Sequence, residues 1–286
     1  MQVALVVGAS GGVGQEIVRE LLSADSPAVT VRAFVRDPAK AAALWSGADA
    51  GGGRLQLVKG DVTQPETIAA AVKGADVVIL THSRRLGEAG ATAEAVDYGG
   101  TCAVCKAAAE ERVSRMVYVS SNSVNRPDKT IVCALNWMGG MGLAWKLRAE
   151  AAVRNSGVPY VIVRPVGLKD GDVSAAPPPP PTIMQREFGL GTVSRAAVGR
   201  LVVRALAEAP PNTTLHCGAT PATAAGGAAQ DLGAALASLV PDSERAVASA
   251  SFEQHEAATN AFAWRVRLAG LGALSLAVAC AWKARG

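Results

Sequence analysis

Apolar residues follow two alternating rhythms along this chain. Short continuous runs at Val3–Val7, Val29–Val35, Leu55–Val58, Asp76–Leu80, Arg115–Ser120, Val158–Arg164 and Thr214–Cys217 predict strands buried on both faces. Between them the spacing turns helical. Ile17, Val18, Leu21 and Leu22 make one buried stripe. Further helices are predicted over Pro38–Trp45, Pro65–Lys73, Ala91–Arg112, Trp137–Asn155 and Arg195–Ala207. Strands alternating with helices predict an α/β fold, a doubly wound parallel sheet with right-handed crossovers.

The regularity ends after Arg164. Residues 171–182 hold five consecutive prolines, Pro177–Pro181, and predict an extended polyproline segment. Residues 219–229 are an Ala/Gly/Thr linker, followed by a short helix near Leu232–Leu239, a polar helix and an uncharged run from Leu268 to Trp282. The division expected is a nucleotide-binding domain over 1–218 and a linker with helical extension over 219–286. The apolar run is short for a membrane span. Yet Trp264 and Trp282 sit about 27 Å apart at helical rise, a spacing that suits two interfacial belts. A terminal helix docked on the domain is the favoured reading of 264–286, and contact with a membrane or a membrane complex is the alternative.

The turn after the first strand carries glycines at 8, 11 and 14 in Gly8-Ala9-Ser10-Gly11-Gly12-Val13-Gly14. Placed between a buried strand and an amphipathic helix, this is the dinucleotide fingerprint of a Rossmann fold. Glycine lets backbone approach a pyrophosphate, and the helix N-terminus offers free N–H groups and positive potential. The second strand ends in Arg36 where an NAD site would place an acid to hold the ribose hydroxyls. Arginine can instead clamp a 2′-phosphate, which favours NADP. Asp37 follows at once, so a slip of one residue would restore the acid and leave NAD as the alternative. Asp61 and Val62 after the third strand, and Thr81 after the fourth, fall where such folds line the ribose and base. His82 and Ser83 lie beside them, and His82 is a candidate proton donor.

Composition narrows the classes. Half the residues are hydrophobic and 4% aromatic, which suits helices packed on a parallel sheet better than an all-β sandwich. The net charge of +4 is mild and its basic residues are scattered, which argues against a nucleic-acid partner. Five cysteines, an odd number, argue against a disulfide framework. Cys102 and Cys105 form a C-x-x-C inside a predicted helix, so they read as core residues, and no second pair supplies a metal site. Nothing at the start of the chain reads as a targeting segment. The cytoplasm or the chloroplast stroma is the expected compartment.

Taken together, the glycine turn, Val35-Arg36-Asp37-Pro38, Gly60-Asp61-Val62, Tyr118-Val119-Ser120-Ser121, Ser156–Pro165 and Thr192-Val193-Ser194-Arg195 resemble the atypical short-chain dehydrogenase/reductase proteins. The likeness is to their NAD(P)H-binding, NmrA-like group, which includes flavin- and biliverdin-reductase-like proteins and plant and algal chloroplast proteins. It covers about residues 1–218. It implies that Gly8, Ser10, Gly11, Gly12, Val13 and Gly14 hold the pyrophosphate, Arg36 the 2′-phosphate, Asp61 and Val62 the adenine side, and Lys146 the nicotinamide ribose. Thr81, Ser120 and Pro165 would complete the cofactor site. Conventional members pair the lysine with a tyrosine four residues earlier as the proton donor. Here that position is Gly142, so Lys146 and Ser121 are the remaining catalytic candidates; the serine position falls at Ser121 or at Asn122.

The function expected is an NADP(H)-binding oxidoreductase acting on a small apolar, aromatic or quinone-like substrate. The alternative is a non-catalytic NAD(P)H-sensing or assembly protein recruited to a membrane complex. Asn136–Met141, soft and Gly-rich, would either face the substrate or pack a helix start into the core.

Overall fold

The computed structural model describes residues 2–23, 29–47, 53–85, 90–170, 180–219, 230–245, 247 and 249–283, with side chains to Ala269. In chain order its elements are β1 (Gln2–Val7), α1 (Gly12–Leu22), β2 (Val29–Val35), α2 (Pro38–Ala42), β3 (Leu55–Lys59), α3 (Pro65–Val72), β4 (Val77–Leu80), α4 (Gly100–Glu110) and β5 (Arg115–Val119). They continue with α5 (Thr130–Gly139), α6 (Gly142–Arg154), β6 (Tyr160–Pro165), β7 (Gly167–Lys169), β8 (Thr182–Met184), β9 (Thr192–Ser194), α7 (Arg195–Glu208), β10 (Thr213–Gly218), α8 (Leu232–Ala237) and α9 (Phe252–Lys283).

The sheet runs β3-β2-β1-β4-β5-β6-β10-β8, parallel throughout except for β8, which pairs antiparallel with β10. The expected doubly wound sheet is therefore present, with its order reversing between β1 and β4. That reversal opens a crevice at the carboxyl ends of these two strands. Every residue of β4 and β6 is buried, because helices cover both faces. One core layer joins α1, α7 and α8 to the sheet; the other joins α3, α4 and α6. Most of the proline-rich segment and the 219–229 linker lie outside the described residues.

Two predicted helices differ from expectation. The one over Ala91–Arg112 starts as a π-helical stretch, Glu94–Gly99, before α4. The extra residue per turn sets Asp97 inward, where it is buried. The single helix predicted over Trp137–Asn155 is instead the end of α5 and all of α6, broken by Gly140 (φ 61°) and Met141 (φ 63°), both left-handed. Periodicity cannot register such a joint, since apolar residues occur on both sides of it. The Met141 N–H donates to the Asn136 carbonyl (2.8 Å), and the Asn136 side chain accepts from the Leu143 N–H (3.0 Å). Asn136 thus ends one helix and caps the next. Three short strands, β7, β8 and β9, were not expected from the pattern at all.

The first turns of α9 dock on α5 and α6. His255 is buried there, donating from Nε2 to the Val124 carbonyl (2.7 Å) and accepting at Nδ1 from the Asn136 amide (3.0 Å). Among the described residues no helix is long and apolar enough to cross a membrane; most of the predicted apolar segment 268–282 has side chains outside them.

Candidate functional site

At the crevice, β1 ends in a turn whose first residue can only be glycine. Gly8 has φ +84°, and a Cβ there would lie 2.6 Å from the backbone nitrogen of His82. The Gly11 N–H donates to the Gly8 carbonyl (2.9 Å), and Gly11 becomes the N-cap of α1 with no side chain closing it. The first-turn N–H groups of α1 therefore face a cavity of about 310 Å³ lined by Gly8, Ser10, Gly11, Gly12 and Val13. Gly14 does not line it. A Cβ there would meet the Gly8 carbonyl at 2.3 Å, so its role is close packing beneath the turn.

Arg36, Asp61 and Val62 form the far wall of this cavity. The Asp37 carboxylate is turned away, accepting from the Lys40 N–H (3.0 Å) as the N-cap of α2. The arginine within β2, Arg32, donates to the carbonyls of Ala71 (3.2 Å) and Lys73 (2.6 Å) at the end of α3. Arg36 is thus the strand-end group on the cavity. Asp61 Oδ1 accepts from the Thr63 N–H (2.9 Å) and hydroxyl (2.7 Å), so it organises its own turn. The Thr81 hydroxyl ties β4 to the glycine turn through the carbonyls of Val7 (3.1 Å) and Gly8 (3.2 Å). Arg84, Arg85 and Arg195 add positive charge to the wall. Arg195 starts α7 and lies over Gly12, where a Cβ would sit 2.5 Å from its Cδ.

A second cavity of about 410 Å³ adjoins the first and shares Val13, Thr81, Ser83 and Leu168 with it. Ser120, Ser121, Lys146 and Pro165 line it, with Ile131, Val132 and Leu135 from α5. It is walled mainly by apolar side chains, and the structure brings both catalytic candidates to it. Trp137 and Met138 of the 136–141 segment do neither thing expected of them. They are exposed at the end of α5, while residues one and two turns earlier line the cavity.

Between the two cavities Lys146 Nζ is 3.0 Å from Asp97 Oδ1. Asp97 also accepts from the Ser83 hydroxyl (2.7 Å) and the Arg84 N–H (3.1 Å). His82 is buried behind this pair, its Nε2 3.2 Å from the Thr101 hydroxyl. That hydroxyl donates to the Asp97 carbonyl, so Nε2 carries the ring proton. Burial, then the Lys146 charge, hold the His82 pKa down to about 4. A neutral ring with its only proton engaged is a poor acid near neutral pH, which removes His82 as proton donor. Gly142 opens α6 one turn before Lys146, and a Cβ there would have nothing within 4 Å.

Asn122 is part of the framework. Its Oδ1 accepts from His216 Nδ1 (2.8 Å) and from the Phe188 N–H (3.3 Å). His216 leads through Arg164 to the fully buried Glu150, with Arg164 and Glu150 paired at 2.6 and 2.8 Å. Ser121 lines the second cavity, its hydroxyl in a long contact with the Asn122 carbonyl (3.3 Å). Sequence reasoning missed Asp97, Arg195 and the α5 wall. Arg195 alone had a signal, in the 192–195 motif. Cys105 is buried mid-helix with its thiol pushed up to about 12 by burial, as a core cysteine should be.

Comparison with known proteins decides the family: a profile described as NAD(P)H-binding matches residues 8–209. The chain belongs to the NAD(P)H-binding family. An uncharacterized chloroplast protein of Arabidopsis thaliana is 34% identical over 211 residues, 71% of each chain. The photosystem II assembly factor Ycf39 of Trieres chinensis is 28% identical over 169 residues, 58% of this chain and 46% of that one. Among solved structures, the anaerobillin reductase ChuY of Escherichia coli O157:H7 matches with TM-score 0.58 and 26% identity, covering 77% of this chain and all of that one (100%). A short-chain dehydrogenase/reductase of Veillonella parvula, crystallised with NADP, matches the fold with TM-score 0.60 at 17% identity over 78% of this chain and 96% of that one. This family member has the oxidoreductase-like fold that the motif resemblance implied.

Proposed function

We propose that this chain is an NADP(H)-dependent reductase of a small, flat apolar or quinone-like acceptor. The observation that carries the reading is the pair of adjoining cavities, one basic and backbone-lined, the other apolar, with four residues common to both. Ligands seated in the two would touch. In this reading the turn over Gly8–Val13 and the α1 N-terminus hold the pyrophosphate, helped by Arg195. Arg36 takes the 2′-phosphate, while Asp37, spent on its helix cap, leaves NAD without an acid. Asp61 and Val62 border the adenine side, Thr81 the ribose, and Ser120, Ser121 and Pro165 the nicotinamide end.

Bound NADPH supplies a hydride. The chain's own residues supply orientation and charge. Lys146, pinned by Asp97, presents a cation to the apolar cavity where negative charge develops on the acceptor. With glycine in the tyrosine position, acceptors whose reduced form tolerates an anion suit the site, and protonation can follow from Lys146 or water. Residues 1–218 carry this chemistry, and the chloroplast relative supports the stroma as its compartment.

The test is calorimetric titration of the full chain with NADPH and NADH, then NADPH oxidation with a panel of quinones and flavins. Tight NADPH binding with turnover is expected. NADPH binding without turnover on any acceptor would favour the second reading, a nucleotide-binding assembly protein, which rests on Gly142 and on the likeness to Ycf39.

A further inference from the structure

Exposed large hydrophobic side chains are unevenly distributed on this molecule. Among the described residues all except Val240 come from α5, the rim of the apolar cavity and α9. On α5 they are Ile131, Leu135, Trp137 and Met138. The rim of the apolar cavity adds Leu168 and Leu190, the latter 84% exposed. The docked helix α9 adds Trp264, Val266 and Leu268. The face is contiguous, because Ile131 and Leu135 line the same cavity as Leu190, and the Trp137 ring meets Phe262 of α9 at 6.0 Å. Soluble surfaces rarely gather apolar side chains in this way without a partner.

Charge identifies the partner. The last acidic residue of the chain is Glu256; from there to the end the charges are Arg265, Arg267, Lys283 and Arg285, flanking the uncharged run from Leu268 to Trp282. Arg265 and Arg267 are exposed beside the apolar side chains of α9. Around the cavity rim Asp128 pairs with Arg126, Glu187 with Arg126 and Lys129, and Asp170 with Arg195 in the cofactor-free chain, while Glu256 is exposed on α9. An apolar face with tryptophan and basic flanks matches an anionic lipid surface.

We propose that this face rests on an anionic bilayer, with the mouth of the apolar cavity turned toward the lipid, so that a lipid-soluble acceptor enters from the membrane. The route of the acceptor rests on the reductase reading; the membrane face does not.

The test uses the full chain without cofactor, floated with phosphatidylcholine vesicles and with mixed phosphatidylglycerol/phosphatidylcholine vesicles. Flotation is expected with the anionic vesicles, weaker with the neutral ones. The Met138→Asp/Leu190→Asp pair, both on exposed positions, should weaken partitioning about tenfold, with an unchanged melting curve as the folding check. A second readout places a bimane label at Leu190→Cys or at Glu66→Cys on the exposed surface of α3, in a Cys102→Ser/Cys280→Ser background. Vesicles should shift the emission to the blue at 190 and leave it unmoved at 66. Absence of flotation with either lipid overturns the proposal and points to a protein partner. Flotation with no shift at 190 and no loss in the double variant also overturns it, because the tail would then bind with the cavity facing away. NADPH titration of the same samples reports separately on the reductase reading.

Discussion

The two cavities are built in opposite ways. The floor of the first is backbone from one short stretch, residues 8–13, and residues at the ends of β2, β3 and β4, with Val96, Leu168 and Arg195, close it. The second is assembled from side chains far apart in sequence and stands on a buried ionic framework, Asn122–His216–Arg164–Glu150. A backbone-built site is fixed by local turn chemistry and is difficult to alter without losing it. A side-chain-built site can change its walls freely but depends on the network behind them.

That contrast can be broken first at Glu150. Glu150→Ala leaves the Arg164 cation buried without its partner and should cost about 3–5 kcal/mol in denaturant unfolding. Hydrogen exchange should rise around residues 119–123 and 160–166 before it rises around the glycine turn. A uniform rise would show that the two sites share one support.

Acid is the next probe. Burial, then nearby cations, hold His82 and His216 down to about 4 from an ordinary 6.5. The unfolded chain takes up protons below 6.5 that the native state refuses. The histidine contribution should therefore be full above that value, fall by at most about 1.4 kcal/mol per pH unit for each histidine as pH drops, and be spent below about 4, where protonation of lowered carboxyls carries the loss further. The Glu150 carboxyl does not oppose this trend: burial raises it, but the Arg164 charge and hydrogen bonds outweigh burial and leave it below its usual range.

Gly8→Val attacks the first cavity alone. The left-handed backbone and the His82 contact should cost roughly 1–3 kcal/mol and abolish NADPH binding, measured by melting and calorimetry. Native-like binding of an apolar acceptor in a variant that no longer binds NADPH would sharpen the separation. Arg36→Glu should reduce the NADPH-over-NADH preference about tenfold or more with little effect on stability. An unaltered ratio of the two affinities would move the 2′-phosphate contact to Arg84, Arg85 or Arg195. The smallest effect is expected at the joint between α5 and α6, where Met141→Gly should stabilise the chain by about 0.5–1 kcal/mol by relieving a left-handed non-glycine residue.

The same contrast explains how much was legible beforehand. The glycine turn apart from Gly14, the strand-end Arg36, Asp61, Val62 and Thr81 all reach the first cavity, because each follows a strand whose position in the sheet is set by its apolar run. Lys146 and Ser121 were found through a family motif, and the structure brings both to the second cavity. Asp97 was missed because a π-helical turn rotates it inward, and Ile131 and Leu135 because nothing local distinguishes a cavity wall from a core stripe. The helix break at Gly140–Met141 is a matter of two backbone torsions and left no trace in hydropathy.

Asn136 ties the tail helix to α6. Its one amide side chain holds the His255 ring of α9 and caps α6, on which Lys146 sits. The tail helix is thus no removable appendage. A proteolytic cut before Phe252 would unseat His255, strip the Val124 carbonyl of its donor and loosen the start of the lysine-bearing helix; a cut after Ala269 would spare all three. Where a protease trims this chain therefore decides whether it leaves a shorter protein or a crippled one.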